Sequence, residues 1–443
     1  MRKRVHAVVP IFVTLAMVSV GAQDAAHQHG DERKPYDGPP LSLPAALEEA
    51  LAKNPELLAL RAQLPVVRTR PAQERALMPP MLEGTVWQWP INTLNPANTN
   101  MYMFMLGQEL PGRGKRDLRA AVVEKDIGLA ESDVTIRERQ VINAVRQAYA
   151  SLFIARKAID LHLANADVLR QIADVSQVKY AAGRNSQQDV LKSIGELSKL
   201  HNDILLFDEQ ANVAAARLNV LLDRAPETAI GALVEPNEQA LRAAPGDLQR
   251  LALDRQPELQ RARLEIGRAE AELASAKQGY KPDFTVQGGY LMMPGQTDAL
   301  LARVGVTWPR APWSHGKVDA HVAEQTATVE AAKARARAME SGVRLAVQEA
   351  YVHAQSAQDR AVLLRATILP QAQQTLEVSR IAYQTDRGDF QALLESERML
   401  LDGQLDYFRA LSDFSQATSD LERAIGTDLP AGAVTAIPPS EGQ

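Results

Sequence analysis

The sequence contains no cysteine, which excludes disulfide staples, thiolate metal sites, cysteine nucleophiles and a lipid carried on an amino-terminal cysteine. It also lacks any large excess of charge. With 49 basic against 54 acidic side chains the net charge is -5, so no broad electrostatic pull toward nucleic acid exists. Long apolar runs are missing beyond residue 23: none approaches the about 20 residues a spanning helix requires, so any membrane crossing by the mature chain must use strands. No Walker A loop, Gly-x-Ser-x-Gly elbow, His-Glu-x-x-His or dinucleotide fingerprint is present. No residue is therefore read as catalytic, and no cofactor is expected.

Proline is absent from one long stretch, between Pro111 and Pro226. Proline breaks helix interiors by removing a donor and clashing with the preceding turn. Glycine is scarce there as well, and Ala, Leu, Glu, Lys, Arg and Gln dominate. The chain can thus run as one helix from Lys115 to about residue 182, on the order of 100 Å at 1.5 Å per residue. Such a rod is too long for a globular core. Val141, Val145, Ala148, Leu152, Ala155, Ile159, Ala166, Leu169 and Ala173 follow 3-4 spacing, and Ile154, Ala158, Leu161, Val168, Ile172 and Val175 form a second set. Two adjacent seams demand neighbours on two sides, as in a sheet of helices curled into a tube. Gly183 supplies a helix end, and Asn185 or Ser186 can cap a returning helix that runs to about Asp223.

The chain is one unit written twice. Asn54-Pro55-Glu56-Leu57 recurs as Gln256-Pro257-Glu258-Leu259, Gly114-Lys115 as Gly316-Lys317, and Ala144 to Tyr149 as Ala346 to Tyr351, all at an offset of 202. Tyr180 matches Tyr383 at 203. Each unit carries a strand-like hairpin between a shorter helix and the long one: 82–91 with 101–110, and 283–293 with 300–308. In the second, Phe284, Val286, Gly288, Tyr290 and Met292 share one face, with Thr285, Gln287 and Gly289 on the other. Strands of about 10 residues with one apolar face fit a transmembrane barrel, with Trp87, Trp89 and Trp308 at the interface. Two soluble hairpins packed on a core are the alternative. Four strands cannot close a barrel, and lipid does not tolerate open sheet edges. Two, three or four copies would supply eight, twelve or sixteen strands, of which only the larger counts leave an open lumen.

The ends read differently. Residues 1–22 have the form of a secretory signal, with three positive charges followed by an apolar run and small residues at Val20-Gly21-Ala22; an uncleaved anchor is the alternative. Residues 23–40 read as a flexible leader and 429–443 as a flexible tail, flanking a first repeat at 41–235 and a second at 236–428. The long helical hairpins fall at 115–223 and 316–426. His27 and His29 in the leader form a candidate weak site for a divalent cation.

These features together resemble the TolC family of outer-membrane efflux proteins of Gram-negative bacteria. The resemblance rests on Leu43 to Leu51 with Asn54-Pro55-Glu56-Leu57, on Gln108-Glu109-Leu110-Pro111 with Gly114-Lys115, on Tyr180 followed by Gly183, and on the repeat; it covers Leu41 to about Gly426. It implies a mainly α protein with a small transmembrane β-barrel part: a homotrimer whose four strands per protomer make a 12-stranded barrel above an α-barrel tunnel. It further implies an exit duct of a tripartite pump, working with a periplasmic adaptor (membrane fusion) protein and an inner-membrane transporter of the resistance-nodulation-division type.

In that family the hairpin tips form the periplasmic entrance and meet the adaptor. Carried over, the first tip is Gly183, Arg184, Asn185 and Ser186, and the second is Arg387, Gly388 and Asp389 within Asp386 to Phe390. The second tip departs from the pattern, because Gly388 lies five residues after Tyr383 whereas Gly183 lies three after Tyr180. Asp189 and Glu395, just above the tips, are candidate inward carboxylates that a trimer would repeat as rings favouring cations. Met101, Met103 and Met105 ahead of Gln108 resemble the heavy-metal branch of the family. The rival reading is a periplasmic coiled-coil scaffold or an adaptor protein without a barrel.

Overall fold

The computed structural model of the chain describes residues 36, 38–93, 95, 98–184, 186–235, 239–430 and 432–436. The signal at 1–22, most of the leader, His27, His29 and Asn185 lie outside the described residues. The first repeat runs α1 (Leu43–Lys53), α2 (Pro55–Arg75), β1 (Met81–Trp87), β2 (Met101–Leu110), α3 (Lys115–Ala181) and α4 (Gln187–Leu221). The second runs β3 (Gln239–Leu241), α5 (Pro245–Arg255), α6 (Pro257–Lys277), β4 (Phe284–Met292), β5 (Ala299–Val306), α7 (His315–Leu363), α8 (Leu369–Gln384) and α9 (Phe390–Ile425), followed by β6 (Val434–Ala436).

The repeat is visible in the packing. Ala46, Ala50, Leu57, Val141, Val145 and Ala148 are buried, and so are Leu248, Ala252, Leu259, Val343, Val347 and Ala350, each 202 positions later. Apart from Leu57, the first set belongs with Leu218 and Leu222 to one core at the waist of the molecule, and the second belongs with Leu421 and Ile425 to its counterpart. The same helix start is built twice: the Asn54 side chain accepts from the Leu57 N–H (3.2 Å) and the Gln256 side chain from the Leu259 N–H (2.6 Å), each ahead of a proline in the first turn. There the ring's missing N–H removes nothing the helix uses. Proline does not break α2, which passes through Pro65 and Pro71. Between α7 and α8 the helix widens into one π-turn at Leu364–Ile368, next to Pro370, whose missing donor favours such a local change of ladder.

The 67-residue α3 is unbroken and has two long neighbours, α4 and α9, but these do not divide by seam: Ala166 and Leu169 of the first set share one core with Ala158 and Ile172 of the second. Ala148, Leu152 and Ala155 pack toward α4, while Ala158, Ala166, Leu169 and Ile172 join a core with Phe390, Leu393 and Leu401 of α9. Alanine lets the backbones approach, which a tube of adjacent helices requires. Along its outer part α3 is flanked by α2 and α6 and tied to both by ion pairs spaced seven residues apart. These are Arg61–Glu138 (2.8 Å), Arg68–Glu131 (2.8 Å) and Arg75–Glu124 (2.5 Å) on one side, and Arg261–Asp133 (2.6 Å) and Arg268–Asp126 (2.6 Å) on the other. Each pair is solvent-accessible and individually weak, so the set fixes register more than it adds stability.

The four hairpin strands form one antiparallel sheet in the order β1-β2-β4-β5, with β2 beside β4 joining the repeats. Cross-strand partners share a face. Leu82–Leu106, Gly84–Phe104, Phe104–Tyr290, Val286–Val304 and Phe284–Val306 thus build one continuous apolar face, and it is exposed. The other face carries Glu83, Thr85, Thr285, Gln287 and Arg303, together with Met101, Met103 and Met105. Trp87 and Trp89 lie at the turn end of the sheet, and Trp308 packs edge-on to Trp313 at the helix end, all exposed. Asp283 pins sheet to helix, accepting from the Gly112 N–H (2.7 Å) and from Lys115 (2.8 Å). Among the described residues no helix is long and apolar enough to cross a membrane.

Three boundaries differ from the sequence reading. The first strand stops at Trp87 rather than Ile91, because Gln88 turns to a φ of 58° and Pro90 has no N–H for a ladder. The tail is not wholly free: Val434–Ala436 pair as β6 with β3. The leader is already docked at Tyr36, whose ring lies 4.0 Å beneath the Arg156 guanidinium.

At the waist the Tyr149 hydroxyl accepts from the Val234 N–H (2.9 Å) and lies 3.0 Å from the Leu41 carbonyl. Replacing it should strand a half-buried N–H. Tyr149→Phe is expected to lower the unfolding free energy by about 1–3 kcal/mol, read as a lower denaturant midpoint of the detergent-solubilised protein.

Candidate functional site at the hairpin tips

Both long hairpins end in the same backbone turn. At the first, the Gly183 N–H bonds the Tyr180 carbonyl (2.9 Å) and the Arg184 N–H bonds the Lys179 carbonyl (2.9 Å), with Gly183 at φ 70°. At the second, the Asp386 N–H bonds the Tyr383 carbonyl (3.4 Å) and the Arg387 N–H bonds the Ala382 carbonyl (2.9 Å), with Asp386 at φ 57°. Each is a helix end closed by a left-handed residue, a conformation glycine adopts freely and aspartate tolerates. The departure read from Gly388 is therefore corrected. The left-handed residue stands three positions after the tyrosine in both tips, and in the second it is Asp386. Gly388 serves another need: a Cβ there would lie 2.9 Å from the Ala382 Cβ, so the chain passes too close for a side chain. Ser186 and Asp389 occupy the N-cap positions of α4 and α9, without a capping side-chain bond.

The two tips are tied to each other. Lys179, near the end of α3, donates to Asp386 Oδ1 (2.7 Å) and to the Tyr383 carbonyl, and its ammonium lies 4.2 Å from the centre of the Tyr383 ring. The Tyr383 hydroxyl shares a hydrogen bond with buried Ser176 of α3 (2.9 Å). Arg184 stands 3.7 Å from Asp386 Oδ2. The Lys179 bond holds the Asp386 carboxyl below its ordinary value of 3.8, so the tie stays charged until pH falls through that depressed value. A second pair of links joins α4 to α9: Lys192 to Gln391 (3.0 Å) and Arg398 to Glu196 (3.1 Å).

The remaining candidates behave unequally. Arg184, Ser186 and Arg387 are at the tips and exposed; Asp189, in the first turn of α4, is half-buried, and Glu395 in α9 is exposed. Asp189 forms no ion pair among the described residues, Glu395 lies within the field of Arg398, and no group of three metal-ligating side chains occurs there. The sequence reading passed over Glu397. It sits on the stripe Phe390, Leu394, Glu397, Leu401, Leu405 of α9 and is 5% exposed, whereas Glu395 lies on the polar side of the same helix. A carboxylate at an apolar-stripe position was the available signal.

Residues 46–224 match the family model described as outer membrane efflux protein. The cobalt-zinc-cadmium resistance protein CzcC of Cupriavidus metallidurans is 24% identical over 391 residues, covering 87% of this chain and 90% of that protein. Two solved structures share the fold. The outer-membrane channel OprN, 20% identical, aligns with a TM-score of 0.72 over 87% of this chain and 89% of its own. The outer membrane protein VceC of Vibrio cholerae, 17% identical, aligns with a TM-score of 0.72 over 87% of this chain and 96% of its own. The first repeat thus matches the outer membrane efflux protein model, and the chain as a whole shares the fold of these two solved structures.

Proposed function

We propose that this protein is the outer-membrane exit duct of a tripartite efflux pump, a passive conduit from the periplasm to the exterior. The observation that carries this reading is the sheet: one continuous exposed apolar face, aromatic residues at both ends, two open edges, and direct continuation into helices on the order of 100 Å long. In water that face would be a large association-prone patch, which counts against a soluble scaffold. Open edges need partners in lipid, and three copies supply twelve strands, enough for an open lumen.

The tips are the gate in this reading. Gly183, Arg184, Ser186, Arg387, Gly388 and Asp389, with Asn185, present the surface that a periplasmic adaptor meets, and an inner-membrane transporter of the resistance-nodulation-division type supplies the energy. Asp189 and Glu395, each repeated three times, would form acidic rings that admit cations. The relative's name, cobalt-zinc-cadmium resistance protein, supports divalent metal cations as cargo.

The direct test is location and mass. The full-length protein is expected in the outer-membrane fraction with a detergent-corrected mass of three protomers; a soluble monomer or dimer would favour the scaffold. For cargo, a deletion strain should become more sensitive to cobalt, zinc and cadmium, and unchanged metal tolerance with lost drug tolerance would reverse the assignment. For the gate, Lys179→Met removes the tie to Asp386 and should raise the resting conductance in planar bilayers several-fold. Because that tie is charged throughout the neutral range, its removal should have the same effect at pH 6 as at pH 8.

A further inference from the structure

A cleft of about 450 Å³ opens between α3, α8 and α9 on the way from the tips to the waist. Its walls are largely apolar, with Val168 and Ile172 from α3, Leu376 from α8 and Leu401 from α9. Two polar side chains at least nine-tenths buried line it, Glu397 from α9 and Asn165 from α3. The Glu397 Oε2 and the Asn165 Oδ1 have no hydrogen-bond partner among the described residues. Both atoms are acceptors when the carboxyl is ionised; a proton on Glu397 converts one of the two into a donor.

The charged and titratable groups around the cleft leave that proton in place. From α8 come Glu377, Arg380 and Tyr383. Arg380 is paired with Glu377 at 2.7 Å, and the Tyr383 hydroxyl is bonded to Ser176. The polar groups that α3 and α9 otherwise contribute are neutral: Asn165, Gln171 and Gln404. Arg398, beside Glu397 in sequence, is committed to Glu196. Burial raises the Glu397 carboxyl above its ordinary 4.5, and the Arg380 charge only partly opposes this. An ionised carboxylate in so dry a place would lack the donors it needs.

The cleft exists only while the second hairpin lies against α3. Parting α8 and α9 from α3 wets Glu397 and returns it to an ordinary carboxylate environment. We propose that Glu397 is a proton-linked element of the tip gate: each protomer holds one proton on this side chain while the hairpins are packed and releases it to water as they part. The sign follows from linkage. The packed arrangement binds the extra proton, so it is favoured as pH falls, and parting is favoured as pH rises from 4.5 through the raised value. The device rests on the tips acting as the gate, and it is separate from the Lys179–Asp386 tie, which does not titrate in that window.

The test is open probability of the full-length protein in planar bilayers from about pH 5 to about pH 8, for the wild type and for Glu397→Gln, which keeps shape and cannot ionise. Expected are a wild-type open probability that rises with pH and a Glu397→Gln channel that loses the rise and stays at the low-pH level. Glu397→Leu provides the same neutral position should the glutamine variant fail to assemble. A conducting Glu397→Gln channel with the wild-type profile overturns the inference alone, as does a flat wild-type profile, which would mean that a neighbouring copy or a bound cation keeps the carboxylate ionised. A wild-type protein that forms no channel at any pH overturns the duct reading, and this inference with it.

Discussion

Two seams of small side chains along one 67-residue helix hold the rest of the structure in place. A single helix of that length has no tertiary reason to stay straight in water, since most helical stability in proteins comes from packing an apolar face. Here α3 packs on both α4 and α9, and α2 and α6 flank its outer part. The sheet is positioned from the same rod, through Gly112 and Lys115 at its start and their shared partner Asp283 in the other repeat. Tips, waist and sheet are thus three stations on one axis.

The repeat explains why the tips match and where they differ. Left-handed residues close equivalent helix ends, but glycine and aspartate trade places between the copies. Gly183 corresponds to Asp386 at the tips, while Asp223 corresponds to Gly426 at the waist. At Gly426 the reason is steric, for a Cβ would lie 2.5 Å from the Pro257 ring. At Asp386 the side chain is used: it receives Lys179 from the other hairpin. The duplicated unit supplied identical turns, and the one that kept a side chain acquired the tie between hairpins.

Much of the fold was legible in the residues. The proline-free stretch and the alternation at Phe284 to Met292 correspond to α3 and the apolar face of β4, because each depends on periodicity that the chain carries locally, whereas the two sets on α3 merge in one core beside α4 and α9. The tips were less legible. Searching for a second glycine led to Gly388, since an aspartate in a left-handed turn leaves no compositional mark. Glu397 was overlooked for a different reason: its burial depends on how deeply α9 lies against α3 and α8, which one helix's pattern indicates only weakly. Asp189 and Glu395 bear charges where solvent reaches them, so their chemistry depends on an assembly larger than the chain.

The ion pairs along the outer part of α3 have a mechanical consequence. Their residue numbers add to a constant on each side, 199 for α2 (61 and 138, 68 and 131, 75 and 124) and 394 for α6 (261 and 133, 268 and 126). Each set is a rack with a tooth every two helical turns, and two racks grip the same rod from different sides. Axial slip by less than a full tooth breaks every pair on that side at once, so the outer half of α3 is keyed against sliding. Among the described residues the inner half has no such row of pairs to a neighbouring helix: Lys157 pairs with Glu235 in the loop after α4, and the remaining links lie toward the tip. Any large displacement of the tips is therefore a sideways swing of free helix beyond a clamped length, with the waist as its fulcrum.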